Sequence, residues 1–143
     1  MGASVVPYWP GITEDQLQSA PGFWNDDRAW GNWMAEREQH ENVLQTLRDL
    51  GVAALLTFKT DGVEDDDVDW IAPLDLERAA DRLRGLVLDG DPRTDRIVAT
   101  YEISANKCDP VRQELARDLQ DVASIARFAR QAGAPVLTLE VGW

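Results

Sequence analysis

The chain has 143 residues, 44% hydrophobic and 28% charged, with 26 acidic against 14 basic side chains and a net charge of −12 at pH 7. Such a length suits one domain able to bury a core without disulfides or metal, and the apolar fraction argues against global disorder. The negative charge repels phosphate backbones and so disfavours nucleic-acid binding.

The same charge favours a basic protein partner and would speed its docking. The plainer reading is solubility alone. Arginine dominates the bases, Lys59 and Lys107 being the lysines, and with many Ala, Asp and Val this hints at a GC-rich bacterial genome. Cys108 is the single cysteine, so no internal disulfide can form. The opening MGASVVPYWPG lacks a charged n-region and a long apolar run, unlike a signal peptide. Val6 stands where a myristoylation motif needs Ser or Thr. No window has the apolar length of a membrane span. The expectation is a cytoplasmic protein.

In chain order, Pro7, Pro10 and Gly11 predict an extended N-terminal arm over residues 1–12, whose Val5, Val6, Tyr8 and Trp9 could dock on the core of a single globular domain at 13–143. Thr13, followed three residues later by Gln16, is a capping box and predicts a short helix ending before Pro21-Gly22. Asn25, Asp26 and Asp27 offer the next N-cap. Trp30, Trp33, Met34, Val43, Leu44, Leu47 and Leu50 then recur at helical spacing, which predicts a long helix to about Leu50 closed by Gly51. Residues 52–59, VAALLTFK, read as a buried strand. A polar loop, 60–70, follows.

Pro73 suits a helix start, with Leu76, Ala79, Ala80, Leu83, Leu86 and Val87 on one face and Gly90 as terminator. Residues 93–106 fit a helix or a strand by spacing, and the Asp91-Pro92 start favours the helix. Asp109-Pro110 opens a further helix to about Ala132, with Val111, Leu115, Leu119, Val122, Ile125, Ala126 and Ala129 as its stripe and Gly133 as its stop. Residues 136–141 read as a final strand. The sum is a mostly helical α+β fold, with four or five helices on a two- or three-stranded sheet. The strands near 52–59 and 136–141 would pair in parallel through a long crossover, because an isolated strand leaves backbone groups unsatisfied.

Three clusters could carry chemistry. The loop 61–69 bears Asp61, Glu64, Asp65, Asp66, Asp67 and Asp69. Its spacing is not the alternating ligand pattern of an EF-hand, and no Gly sits at that motif's turn position. A solvated loop is the plain reading, and docking to a basic partner the functional one, with Asp65, Asp66, Asp67 and Asp69 steering and Trp70 anchoring. Tryptophans form the second cluster. Trp24 and Trp30 flank Asp26 and Asp27 at a helix entrance, and could line a small-ligand pocket if they are not core residues. His40, with Glu36 four residues earlier, is the third, and one histidine without cysteines is a poor zinc set.

No GxSxG elbow, HExxH pair, Walker loop or GxGxxG stands in the chain. No cofactor is therefore expected. In size, charge and lack of motifs the chain resembles the small acidic immunity proteins that neutralise bacterial toxins. That resemblance implies a non-enzymatic inhibitor occluding a positively charged active site, and it carries over no site residues. The alternatives are a small-ligand binder or enzyme using Trp24, Asp26, Asp27 and Trp30, and a homodimer that buries exposed tryptophans.

Overall fold

The computed structural model describes residues 4–22, 30, 33–34, 41–60, 62–105 (102–105 by backbone only) and 111–142. Five helices and three strands are defined among them, in the mostly helical α+β arrangement that the patterning predicts. The helices are α1 (Glu14–Ser19), α2 (Glu41–Asp49), α3 (Pro73–Leu88), α4 (Asp95–Ala105) and α5 (Val111–Gln131). The strands are β1 (Ser4–Tyr8), β2 (Lys59–Thr60) and β3 (Thr138–Gly142).

The helices begin and end where local chemistry dictates. At α1, Gln16 N–H donates to Thr13 Oγ1 at 3.1 Å and Thr13 N–H donates to Gln16 Oε1 at 3.0 Å, the reciprocal pair of a capping box. Pro73 is the first residue of α3, where its missing N–H costs nothing. Asp91 caps a 3-10 turn, Pro92–Thr94, that leads into α4, so the ambiguous 93–106 stretch is helical to Ala105. Gly90 and Gly133 adopt φ of 70° and 82° just past α3 and α5, a left-handed geometry that L side chains resist.

Arginines finish two helix ends that glycine alone does not. Arg82 Nε donates to the Leu50 carbonyl at 2.7 Å, beyond the end of α2. Arg112 Nη1 donates to the Val87 carbonyl at 3.2 Å and to Thr94 Oγ1 at 3.0 Å. Each places a cation where the helix dipole is negative and carbonyls lack helical partners.

The core lies between α3 and α5 and extends over the sheet. Leu76, Leu83 and Val87 of α3 meet Leu119, Val122 and Ile125 of α5, all fully buried. Ala79, Ala80, Ala123, Ala126 and Ala129 line the same faces, and their small side chains let the helices approach closely. Trp30, Trp33 and Met34, helical residues of the predicted 25–50 helix, sit in this core at 0%, 1% and 0% exposure.

The sheet runs β1–β3–β2. β1 pairs antiparallel with β3, with Val6 opposite Glu140 and Tyr8 opposite Thr138. β2 pairs parallel with β3, Lys59 opposite Glu140 and Thr60 opposite Val141, so the expected parallel crossover exists. Two elements differ from the sequence reading. The run 52–59 is mostly a 3-10 turn, Ala53–Leu56, and only its last residue joins the sheet. Ala and Leu lack the β-branching that favours a pleated strand, and the β-formers come only at Thr57 and Phe58. The N-terminal arm is a strand of the sheet itself, with Val5 and Val6 buried.

Candidate functional site

The acidic loop is anchored at both ends, by β2 on one side and by a bridge to the residue before β3 on the other. It leaves β2 after Thr60, which pairs with Val141 of β3, and returns at Ile71, which forms an antiparallel bridge with Leu137, just before β3, through bonds of 3.1 and 2.8 Å. Between these points the chain turns at Gly62, φ 90°, with Val63 N–H donating to the Thr60 carbonyl at 3.1 Å. A 3-10 turn, Asp65–Asp67, follows. Val68 then inserts into the protein at 7% exposure, and this apolar plug turns its acidic neighbours outward.

Side chains cross-brace the loop. The Thr57 hydroxyl, itself buried, donates to the Asp69 carbonyl and lies 2.7 Å from the buried Thr138 hydroxyl. Trp70 Nε1 donates to the Asp65 carbonyl at 3.1 Å. The Tyr8 hydroxyl donates to Asp65 Oδ2 at 3.1 Å, and the Tyr8 and Trp70 rings stack at 5.8 Å with an interplanar angle of 30°. Lys59 Nζ donates to the Val63 carbonyl at 2.8 Å and lies 5.4 Å from the Tyr8 ring centroid. Partial burial, then the hydrogen bond and charge of Asp65 and the charge of Glu140, raise the Tyr8 phenol above its ordinary pKa.

The structure thus brings Asp65, Asp66, Asp67, Asp69 and Trp70 onto one loop, Trp70 half-buried and the four aspartates exposed. A shallow cleft of about 470 Å³ runs beside Gly62, Val63, Glu64, Asp65 and Asp66. Tyr8 and Lys59 complete this corner, and the sequence reading missed both. The only signal for Tyr8 was its place in an apolar arm. Away from this corner, Arg93 pairs with Asp91, Arg112 with Asp95, and Arg127 and Arg130 with Glu77. The Arg93 contact holds the Asp91 carboxyl down to about 2.

No protein-family model, curated protein or solved structure matches this chain.

Of the tryptophan set, Trp24, Asp26 and Asp27 lie outside the described residues, as do Glu36, His40, Cys108 and Asp61. Trp30 is fully buried and packs against Trp33 with ring centroids 5.2 Å apart, so its ring meets the core and not solvent. Trp33 Nε1 donates to Thr100 Oγ1 at 3.0 Å, tying this pair to α4. Among the described residues no group of three or more His, Cys, Asp or Glu side chains is arranged to hold a metal ion. Nor is any described helix long and apolar enough to cross a membrane.

Proposed function

We propose that this chain is a non-enzymatic protein-binding domain whose acidic loop docks a basic protein partner, an immunity- or antitoxin-like inhibitor being the sharpest form of that role. The observation that carries this reading is the anchoring of the loop. Asp65, Asp66, Asp67 and Asp69 are exposed on a segment held between β2 and the Ile71–Leu137 bridge and braced by Tyr8, Thr57 and Trp70. Among the described residues no arginine or lysine forms an ion pair with these carboxylates. A braced charged surface loses little conformational entropy on association, and its field accelerates encounter with a cation-rich surface.

In the inhibitor form, the loop covers a positively charged active site and competes with that site's anionic substrate. The test compares the wild type with an Asp66→Asn/Asp67→Asn variant in capture from native lysate at low and at 0.5 M salt. The reading expects a partner of high isoelectric point, released by salt and lost in the variant. Retention that ignores both salt and the substitutions would refute it. A toxin-like gene beside the coding gene would support the inhibitor form over a general adaptor.

A further inference from the structure

The Tyr8–Trp70 stack adds a feature that charge alone does not require. Two aromatic rings stand together at the edge of the sheet, each half-buried, although the core holds other aromatics fully enclosed. The polar ends of both rings point to one residue: the Tyr8 hydroxyl to the Asp65 carboxylate and the Trp70 indole N–H to the Asp65 carbonyl. The rings and the carboxylate are therefore fixed relative to one another before anything binds. An ammonium already lies over the Tyr8 ring, that of Lys59, held by the Val63 carbonyl, so the Trp70 ring is the one left for a second cation.

From this geometry we infer that the Tyr8–Trp70 pair receives an arginine side chain of the partner, its guanidinium stacked on the Trp70 ring and hydrogen-bonded to the Asp65 carboxylate. Charge complementarity selects a cation: Asp65 is held at the pair, and Glu64, Asp66, Asp67 and Asp69 are exposed on the same loop. Aromatic stacking then selects arginine over lysine. A planar guanidinium is weakly hydrated, covers a ring face and offers paired donors to a carboxylate, whereas an ammonium is a compact, strongly hydrated point charge. The Asp65 oxygen that accepts from Tyr8 retains a further lone pair, so a guanidinium adds to that hydrogen bond without displacing it.

This inference rests on the docking role proposed above, and its test separates the two. Fluorescently labelled octa-arginine and octa-lysine peptides carry equal side-chain charge, and their affinities for the intact chain are read by anisotropy at about 0.1 M salt. Octa-arginine is expected to bind about five-fold more tightly than octa-lysine. Trp70→Leu should abolish that gap and leave octa-lysine affinity within about two-fold, as expected for removal of a ring without a change in charge. Tyr8→Phe, which keeps the ring, should retain most of the gap. Equal affinities for the wild type, or a gap that survives Trp70→Leu, would overturn the arginine inference while salt-sensitive binding of both peptides upheld the docking role. Binding of neither peptide would overturn both. Unchanged α-helical circular dichroism in Trp70→Leu confirms that the variant is folded.

Discussion

The Tyr8 hydroxyl and the Asp65 carboxylate meet at 3.1 Å although 57 positions separate them in the chain. The contact joins the edge strand β1 to the acidic loop through a charge-assisted hydrogen bond, the stronger kind. Its partial exposure limits its net contribution to about 1 kcal/mol. Tyr8→Phe should therefore lower global stability only slightly in denaturant titration. Its larger effect should be local. Amide hydrogen exchange over 62–70 should accelerate, while exchange in α3 and α5 stays unchanged. Equal acceleration in the helices would mean that the contact supports the whole fold and not the loop.

The tyrosines also set a limit on alkaline stability. Tyr101 is 1% exposed and donates to the buried carboxylate of Asp118. Burial foremost, then the Asp118 charge and hydrogen bond, push its phenol far above the ordinary value, and Tyr8 is raised as well. A phenol whose pKa is higher folded than unfolded stabilises fully below the unfolded value of 10.0 and loses that contribution as pH rises toward the folded value. Stability should thus be flat through neutrality on this account and fall above about pH 10. Absorbance at the phenolate band should show both tyrosines ionising late, Tyr101 only with unfolding. Normal titration of both in the folded state would contradict the burial of Tyr101.

The parts of this fold legible in the sequence are those decided within a few residues. The capping box at Thr13 and Gln16, the proline start of α3, the glycine stops at Gly90 and Gly133, and the apolar stripe of α5 each depend on neighbours along the chain. The run 52–59 was harder, since a short apolar stretch without alternation suits a buried turn as well as a strand. Its geometry is set by Val52 N–H, which returns to the Leu47 carbonyl at 2.9 Å and bends the chain before a strand can begin. At the site, the charge of Asp65, Asp66, Asp67 and Asp69 and the presence of Trp70 could be read directly. The brace from Tyr8 could not, because only the β1–β3 pairing carries that side chain to the loop. Trp30 stands beside charged residues in the chain, and its helical spacing with Trp33 allows the core position that it occupies.

Thr57 tests the attachment of the loop from its buried side. Its hydroxyl bridges the Asp69 carbonyl and the Thr138 hydroxyl, and both threonines are essentially inaccessible to solvent. Thr57→Val preserves shape but leaves those two groups short of a partner, at a cost of about 1–3 kcal/mol. Denaturation midpoints should fall accordingly, and peptide binding to the loop should weaken because its far end is no longer fixed. Thr57→Ser keeps the hydroxyl and should recover most of both effects. A loss in Ser with none in Val would place the role in the methyl group.

Glu77 on α3 offers the clearest acid-side expectation. It is 8% exposed and accepts from Arg127 Nε and Arg130 Nη2 of α5, each at 3.0 Å. Burial alone raises a carboxyl pKa, yet the two guanidinium hydrogen bonds and charges outweigh it and leave Glu77 lowered. A carboxylate with a depressed folded pKa contributes its stability above the unfolded value, 4.5, and loses it as pH falls through the folded one. Both arginines are about half exposed, at 49% and 48%, so solvent screens the pair and limits what Glu77→Gln can cost to about 1–2 kcal/mol at neutral pH. The difference in stability between wild type and Glu77→Gln should shrink below pH 4.5 as the native carboxylate protonates. A pH-independent difference would show that Glu77 acts through packing between α3 and α5. In that case Arg127→Ala and Arg130→Ala should each be as costly in the Glu77→Gln background as in the wild type, and a double-mutant cycle would report no coupling.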